Sequence, residues 1–450
     1  MPKRITYYIS GGVDPDALLF IEAAAITDGT SKSAINKLVK SFKAGGVWNN
    51  LEAAYPLIGD KINQLTQSED LSSADWGKAA VTVSSVAQNT PIGTNTCYKI
   101  IPTATTTWHY LTRIIATIQY EDTIVLSCYA KASGYDWLRI LVEDGAGGYA
   151  RAWFNVNTGV VGTNNSSSLT LLDSVISAES DGFYRISIKV SGNGRPLGIW
   201  VSPSSADNQS GTWLGDGTSG VLATGLQLEY DTLTAYESVT TSVLADQLKY
   251  NLKNPLDTDA AHRIVWNNEL AGFSKKGFVG ASAVNNWGNI KLAPVTYISQ
   301  DDAHISMTSG TNYGLGATWI DFGLFDTTGG AASFHVTPDF STQGMRVRVN
   351  SSAATVARFN TTTKGTFMGN RVNSSQIELY TDGVLVGTES VASTGLSSLS
   401  MYIGAINQDG VAQVKTARRL TFATTGKGLT AAQALAMKNA IATFNTTLNR

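Results

Sequence analysis

Short segments in which apolar and polar residues alternate recur along this chain and restrict it to a mainly β architecture. The pattern is clearest at residues 124–129 and at residues 184–190, where Ile186, Ile188 and Val190 occupy every second position. Because successive side chains of a strand point to opposite faces, this alternation predicts strands with one buried face. Further strand candidates are residues 81–86, 96–101, 137–143, 151–156, 198–202 and 223–230, with turn clusters at 145–148 and 164–168. Eight or more such strands are typical of a jelly-roll sandwich.

A second alternating region runs from about residue 263 to residue 424. Within it Met345, Val347 and Val349 alternate with polar neighbours. Residues 377–386 fit a hairpin around Asp382-Gly383, a dipeptide suited to the positive backbone angles of a tight turn. This region therefore predicts a second antiparallel sandwich.

Helical patterns lie at the two ends of the chain. Asp14-Pro15 fits a helix N-cap followed by proline at the first helical position, and a second helix is predicted to start near Thr30 or Ser31. Thr430 and Gln433 form a capping-box pattern at the start of a carboxy-terminal helix. The apolar face expected for that helix consists of Leu435, Ile441, Phe444 and Leu448.

Composition excludes several classes of protein. The chain has 450 residues, enough for roughly three folding units of about 150 residues. Its 33 Lys and Arg against 35 Asp and Glu give a net charge of −2, which does not favour nucleic-acid binding. No apolar run approaches the roughly 20 residues of a membrane span, and the amino terminus lacks the apolar core of a signal peptide. Cys97 and Cys128 are expected to be buried thiols.

Two separated stretches together resemble the structural proteins of tailed bacteriophages. They read PDALLFIEAAAITDGTSKSAINKLVKSFKAGGVWNNLEAAYPLIGD at residues 15–60 and KYNLKNPLDTDAAHRIVWN at residues 249–267. The ending GLTAAQALAMKNAIATFNTTLNR and the segment IELYTDGVLVGT fit the same pattern. This resemblance implies a helical segment over residues 1–60 and a concanavalin-like, laminin-G-like sandwich with a carboxy-terminal helix over residues 248–450.

The intervening block is similar to the carbohydrate-binding-module-like sandwiches of phage fibres. The similarity lies in QLTQSEDLSSADWGKAAVTVSS at residues 64–85 and TGLQLEYDTLTAYESVT at residues 224–240. It implies a jelly-roll sandwich over residues 64–240 that is inserted into the other domain. The expected fold class is therefore mainly β, with two antiparallel sandwiches, a short amino-terminal helical segment and a carboxy-terminal helix.

Sequence motifs for catalysis are missing from the chain. No HExxH, Walker-type, C-x-x-C or G-x-S-x-G motif occurs, and the four histidines are scattered. Glu229, Asp231 and Glu237 lie near a strand end but do not match the E-x-D-x-x-E spacing of one glycosidase family, and solvated strand-end charge is the alternative. We therefore predict that the chain is not an enzyme and uses no cofactor.

Acidic pairs leave the question of a metal ion open. Glu143-Asp144 and Asp301-Asp302 could contribute oxygen ligands to a structural Ca²⁺, or could cap loops instead. Too few further ligands can be counted for a metal site to be assigned.

Aromatic and basic residues are the best candidates for ligand contact. Sugar rings stack their C–H faces on aromatic rings, and arginine donates to their oxygens. These residues cluster in the block at 64–240, although burial in a sandwich core is the alternative for any single tryptophan. Trp137 and Trp153 are expected to be exposed because turn residues lie near them. The predicted carbohydrate contacts are Trp137, Trp153, Tyr149, Arg139, Arg151 and Trp213, and Trp108 and Tyr110 belong to the same aromatic-rich block.

The phage resemblance implies a virion structural protein used for attachment or decoration. Its expected location is the particle surface, after assembly in the host cytoplasm. Expected partners are other virion proteins, further copies in a homo-oligomer such as a trimer, and host-surface carbohydrate, with no nucleic acid and no membrane insertion. Two alternatives stay open: a purely structural capsid or tail component that binds no sugar, and a polysaccharide depolymerase.

Overall fold

The computed structural model describes thirteen stretches of the chain. They are residues 12–59, 63–117, 123–191, 196–239, 247–256, 263–267, 273–274, 276–280, 286–328, 332–340, 344–353, 355–356 and 361–450. Residues 1–11, where a signal peptide was considered, and residues 257–262 of the second phage-like stretch lie outside this part.

The chain forms two compact units. The flanking unit combines Met1–Asp60 with Leu244–Arg450, and the central unit is Lys61–Val243. Among the described residues, no helix has both the length and the apolar character needed to cross a membrane.

Helices lie near the ends of the chain and strands fill the rest. The first elements are α1 (Pro15–Ala23), α2 (Gly29–Ala44) and β1 (Leu51–Tyr55). The strands of the central unit are β2 (Gly77–Ala79), β3 (Val81–Ala87), β4 (Thr96–Pro102), β5 (Thr106–Thr107), β6 (Tyr110–Thr117), β7 (Thr123–Ser133), β8 (Trp137–Glu143), β9 (Tyr149–Asn155), β10 (Val160–Ser167), β11 (Thr170–Ala178), β12 (Tyr184–Ser191), β13 (Pro196–Ser204), β14 (Trp213–Leu214) and β15 (Gly220–Tyr230).

The flanking unit then resumes and ends in a long helix. Its elements are β16 (Val265–Trp266), β17 (Phe273–Ser274), β18 (Gly277–Val279), β19 (Gly288–Asn289), β20 (Ala303–Ser309), β21 (Phe322–Phe325), β22 (Ser333–Thr337), β23 (Arg346–Ser351), β24 (Thr355–Val356), β25 (Gly365–Arg371), β26 (Gln376–Thr381), β27 (Val384–Ser390), β28 (Tyr402–Ile403), β29 (Ile406–Gln408), β30 (Val411–Gln413), β31 (Arg419–Gly426) and α3 (Ala431–Thr447). Short 3₁₀ turns lie at Trp48–Asn50, Ser180–Gly182 and Pro294–Thr296.

The central unit is a sandwich of two antiparallel sheets. The front sheet has the order β10-β9-β8-β13-β6-β2, and the back sheet has the order β11-β12-β7-β15-β4-β3. Alternate residues such as Leu138, Ile140 and Val142 of the front sheet and Ile186 and Ile188 of the back sheet fill one apolar core. The expected mainly β fold class, with antiparallel sheets and helical ends, is confirmed.

The flanking unit has two sheets and a helical layer. One sheet has the order β17-β18-β31-β20-β25-β26-β27 with β1 beside β31, and the other contains β16, β19, β21–β24 and β28–β30. One core lies between the sheets, and a second joins α1, α2 and α3 to residues of β25, β26 and β31. Phe422 of β31 contacts Phe42 of α2 and Phe444 of α3 edge to face, at centroid distances of 6.1 and 5.9 Å. The predicted docking of the carboxy-terminal helix is thus confirmed.

Several local predictions hold at the level of single side chains. Asp14 caps α1 by accepting from the Asp16 N–H, and Thr430 and Gln433 form the expected capping box. Asp382 and Gly383 have φ values of 50° and 76°, as the predicted tight turn requires. Both cysteines are free and buried.

Three local predictions are wrong. Residues 164–168 were assigned to a turn, but β10 extends to Ser167, because pairing with β9 supplies the hydrogen bonds that its Asn and Ser side chains would otherwise compete for. Leu435 of α3 is exposed, and Ala434 and Met437 are buried instead. The segment up to residue 60 is not purely helical, since β1 pairs with β31.

Candidate functional site

The outer face of the front sheet carries most of the predicted contact residues. In β8 the side chains of Leu138, Ile140 and Val142 lie in the core. Because side chains alternate along a strand, the outward-pointing residues of β8 are Trp137, Arg139, Leu141 and Glu143. The register then defines three rows across β9, β8 and β13, which are Trp153–Arg139–Ser202, Arg151–Leu141–Trp200 and Tyr149–Glu143–Gly198. Strand alternation therefore brings together residues that are up to 63 positions apart in the sequence.

Three half-buried rings form an aromatic group on this face. Trp200 stacks on Tyr110 with a centroid distance of 3.9 Å and an interplanar angle of 5°. Trp108 meets Trp200 edge to face at 6.1 Å. Trp108, Tyr110 and Trp200 are each only partly buried, so aromatic surface remains accessible. The sequence analysis missed Trp200, although Leu197, Ile199 and Val201 are apolar neighbours in β13 and alternation predicts an outward Trp200.

The guanidinium group of Arg139 is in contact with three tryptophan rings. Its guanidinium carbon is 5.3, 5.7 and 5.8 Å from the ring centroids of Trp108, Trp153 and Trp200. Its Nη2 donates to the Ser202 hydroxyl at 3.0 Å, whereas Nε and Nη1 are buried without a hydrogen-bond partner. Burial, followed by the positive charge of Arg151, lowers the pKa of Arg139 to about 10.

Arg151 lies beside Arg139 in the neighbouring row. Its guanidinium carbon is 4.4 Å from the ring centroid of Tyr149 and 5.1 Å from that of Trp153. Burial lowers the pKa of Arg151 as well, and its Nε also has no hydrogen-bond partner. A cation–π contact contributes about 0.5–2 kcal/mol, whereas burying an ion costs several kcal/mol. The rings therefore only partly offset the burial of these two charges.

Glu143 supplies the acidic group of this face. Its Oε1 accepts from Trp200 Nε1 at 2.9 Å. Gly198 lies opposite, and a Cβ there would come within 3.0 Å of Oε1, so glycine leaves room for this arrangement. Burial raises the pKa of Glu143, against the opposing effect of the Trp200 hydrogen bond. Nearby, the Tyr149 hydroxyl donates to Asn165 Oδ1 at 3.1 Å.

Two of the predicted contact residues have a different setting from the one expected. Trp153 was predicted to be exposed, but it has 0% exposure because the guanidinium groups of Arg139 and Arg151 lie over its ring. Arg139 is itself only 3% exposed. Both lie on the outer face of the front sheet but are enclosed by their neighbours.

Trp137 and Trp213 are half-buried, and neither has a ring contact with Trp108, Tyr110 or Trp200 among the described residues. Trp137 lies on the same face at the start of β8. Trp137 packs on the edge strand, where a Cβ on Gly162 would be 2.5 Å from its Cζ3. Trp213 lies on the small β5–β14 ribbon and meets His109 and Tyr135 edge to face at 4.9 and 5.2 Å. Trp213 therefore lies apart from the aromatic group within the described part of the chain.

The candidate catalytic carboxylates have structural partners. Glu229 is fully buried and accepts from the Thr234 N–H at 3.1 Å, so the expected solvated strand-end charge is wrong for this residue. The Asp231 carboxylate accepts from the Thr123 hydroxyl at 2.9 Å, and Glu237 accepts from the Asn63 N–H at 3.3 Å. These contacts fix the chain at the end of β15.

The acidic pairs considered for Ca²⁺ include two loop-capping residues. Asp144 accepts from the N–H groups of Ala146 and Gly148, and Asp302 accepts from the Gly428 N–H at 2.7 Å. Within the described ranges, no group of three or more His, Cys, Asp or Glu residues comes together as a metal site.

Comparisons with known proteins give remote structural similarities. No protein-family model and no curated protein matches the chain. An enzymatically active domain of bacteriophage CBA120 tailspike protein 4 matches at 12% identity over 38% of this chain and 22% of its own length, with a TM-score of 0.24. A carbohydrate-binding module in complex with β-1,4-galactotriose matches at 12% identity over 32% of this chain and all of its own, with a TM-score of 0.17. A Trypanosoma rangeli sialidase matches at 10% identity over 80% of this chain and 62% of its own, with a TM-score of 0.28.

These matches contradict the prediction that the chain is not an enzyme. They include a sialidase and a tailspike domain described as enzymatically active. The prediction depended on missing short motifs, but the two carboxylates of a glycosidase need no fixed local spacing, because the fold brings them together. The exclusion of enzymatic activity is therefore withdrawn.

Proposed function

We propose that the central unit binds carbohydrate on the outer face of its front sheet. The observation that carries this proposal is the half-buried aromatic group of Trp108, Tyr110 and Trp200 beside polar side chains of the same face. The negatively polarised faces of such rings attract the C–H groups of a sugar. Glu143, Arg151 and Asn165 supply acceptors and donors for the hydroxyl groups around it.

At the level of the particle, we propose that the chain is a bacteriophage virion protein for attachment or decoration. The support is the resemblance of residues 15–60 and 249–267 to phage structural proteins. In this proposal the flanking unit contacts other virion proteins in a homo-oligomer, and the central unit faces host-surface glycans. Several copies on one particle would raise avidity by 10²–10⁴-fold without new contacts. Mass spectrometry of purified virions tests this part, and absence of the chain from the particles would overturn it.

The glycan-binding proposal is tested by an array of bacterial-surface polysaccharides probed with the full chain displayed multivalently. We expect Trp200→Ala to weaken binding to any glycan that scores positive by at least about tenfold. The reason is that an aromatic side chain stacked on a ligand ring contributes on the order of 1–3 kcal/mol to the free energy of binding. Release of reducing ends is followed in the same assay, so that cleavage of a glycan is not mistaken for failure to bind it.

The matched control for this substitution is Trp287→Ala. Trp287 is also half-buried and also stacks on a tyrosine, with a centroid distance of 4.3 Å to Tyr402, but it belongs to the flanking unit. We expect its replacement to leave glycan binding unchanged. Silence of the whole array at high multivalent loading would contradict the proposal and favour the purely structural role, and so would equal effects of the two substitutions.

A further inference from the structure

Four buried donor atoms on the outer face of the front sheet have no acceptor among the described residues. They are Nε and Nη1 of Arg139, Nε of Arg151 and Nε1 of Trp153. Buried donors in folded proteins are nearly always hydrogen-bonded, so a cluster of unmatched donors requires an explanation. All four atoms are donors, so this face has an excess of hydrogen-bond donors and of positive charge.

The charges of this cluster are also unmatched. Neither Arg139 nor Arg151 has a carboxylate within ion-pair distance among the described residues. Glu143, the acidic side chain of the same face, accepts instead from the Trp200 indole. The adjacent rows Trp153–Arg139–Ser202 and Arg151–Leu141–Trp200 therefore contain two positive charges and, among the described residues, no carboxylate paired with either.

Two arginines of the flanking unit, Arg418 and Arg450, have several hydrogen-bond acceptors each. Arg418 is fully buried, and its Nη1 lies 2.8 Å from an Asp321 carboxylate oxygen while Nε and Nη2 donate to the carbonyls of Tyr313 and Gly314. Arg450 donates to three backbone carbonyls. Arg139, by contrast, makes one hydrogen bond to a neutral hydroxyl. Arg348 of the flanking unit shares this pattern, because its Nη1 donates to the Ser333 hydroxyl and its Nε is unmatched among the described residues. What sets Arg139 apart is the half-buried aromatic group of Trp108, Tyr110 and Trp200 on the same face.

We infer that the outer face of the front sheet recognises an acidic sugar through its carboxylate, a conclusion that rests on the proposed carbohydrate-binding function. Arg151 is half-buried and donates to no described residue, so its terminal nitrogens can bind a carboxylate as a planar fork. Arg139, on the adjacent strand and only 3% exposed, adds positive charge beside it. The aromatic group holds the sugar ring while the guanidinium pair selects for the charge.

The test uses biosensor binding of the full chain to three uronic-acid polymers: polygalacturonate, alginate and hyaluronan. Each is paired with its carboxyl-reduced neutral derivative, and dextran sulfate is included as a non-carboxylate polyanion. We expect at least one acidic polymer to bind at least tenfold more tightly than its reduced partner, with an affinity that falls as the salt concentration rises. Binding of dextran sulfate as tight as that of the best uronate would overturn carboxylate selection.

Two variants show whether Arg151 carries this preference. We expect Arg151→Gln to remove the preference for the acidic polymer, so that its affinity falls to that of the reduced partner measured with the same variant. Lys189→Gln makes the same change of charge on β12 of the back sheet and should leave both affinities unchanged. Far-UV circular dichroism and thermal melting of both variants confirm that the fold is intact.

The outcomes separate the two proposals. Equal binding of an acidic polymer and its reduced partner, with loss of both in Trp200→Ala, would overturn the acidic-sugar inference and leave carbohydrate binding standing. A preference for acid that survives Arg151→Gln would overturn the assignment to this cluster. Failure of all seven polymers to bind would overturn the acidic-sugar inference. The glycan array then tests separately whether the central unit binds carbohydrate at all.

Discussion

At the scale of residues, the candidate site depends on how Arg139 and Arg151 are enclosed. The sequence analysis proposed both as contact residues, together with Tyr149 and Trp153, because aromatic and basic residues cluster in this block. The structure places all four on one face of the front sheet, and their contact with a ligand stays a prediction. The sequence could not show that Trp153 is covered by the guanidinium groups, since that depends on contacts between neighbouring strands. Local patterns also did not reveal the unmatched donors, because a donor can be called unmatched only when the positions of the acceptors around it are known.

Replacing Arg139 separates a functional from a structural role. We expect Arg139→Met to leave the free energy of unfolding unchanged or to raise it by about 1–2 kcal/mol, because a buried and unpaired charge is removed and apolar volume is kept. The three cation–π contacts that are lost reduce this gain. Urea denaturation measures the change.

Arg418→Met is the comparison for this substitution. It leaves Asp321 buried without its partner, so we expect a loss of about 3–5 kcal/mol in the free energy of unfolding. A comparable loss in Arg139→Met would show that Arg139 holds the fold together, and would contradict its assignment to ligand recognition.

At the scale of elements, prediction succeeded where a local signal and the tertiary structure agree. The capping box of α3 and the Asp382-Gly383 turn are examples, because both depend on residues a few positions apart. Prediction failed at β10 and at Leu435 of α3. In those elements, pairing with a neighbouring strand or packing against a sheet decides the outcome, and neither is encoded in the adjacent residues.

The Asp382-Gly383 turn provides a prediction at this scale. Gly383 has φ +76°, and a Cβ there would come within 2.8 Å of the Leu435 Cα in α3. We expect Gly383→Ala to lower the free energy of unfolding by about 2–3 kcal/mol, since backbone strain of about 1 kcal/mol adds to a backbone clash. Thermal and urea denaturation measure the effect.

Gly410→Ala isolates the strain from the clash. Gly410 has φ +92°, and no atom lies within 4 Å of its added Cβ. We therefore expect about 1 kcal/mol for this variant. Equal losses in the two variants would mean that contact with α3 does not restrict the turn.

At the scale of the whole molecule, the chain joins a central sandwich to a flanking unit built from two separate segments. The mainly β class follows from alternation repeated along the chain. Which face of which sheet meets a ligand does not follow from it, because every strand has two faces and the choice depends on the final packing. The phage origin, the partners and the location on the particle remain proposals based on sequence resemblance.

The most direct measurement of the central claim is covalent footprinting of the full chain, read by mass spectrometry, with and without a saturating glycan identified on the array. We expect protection from modification at Trp108, Tyr110 and Trp200, and no change at Trp213 or Trp287. Protection confined to Trp213, to Trp287 or to other parts of the flanking unit would contradict the assignment of carbohydrate binding to the outer face of the front sheet.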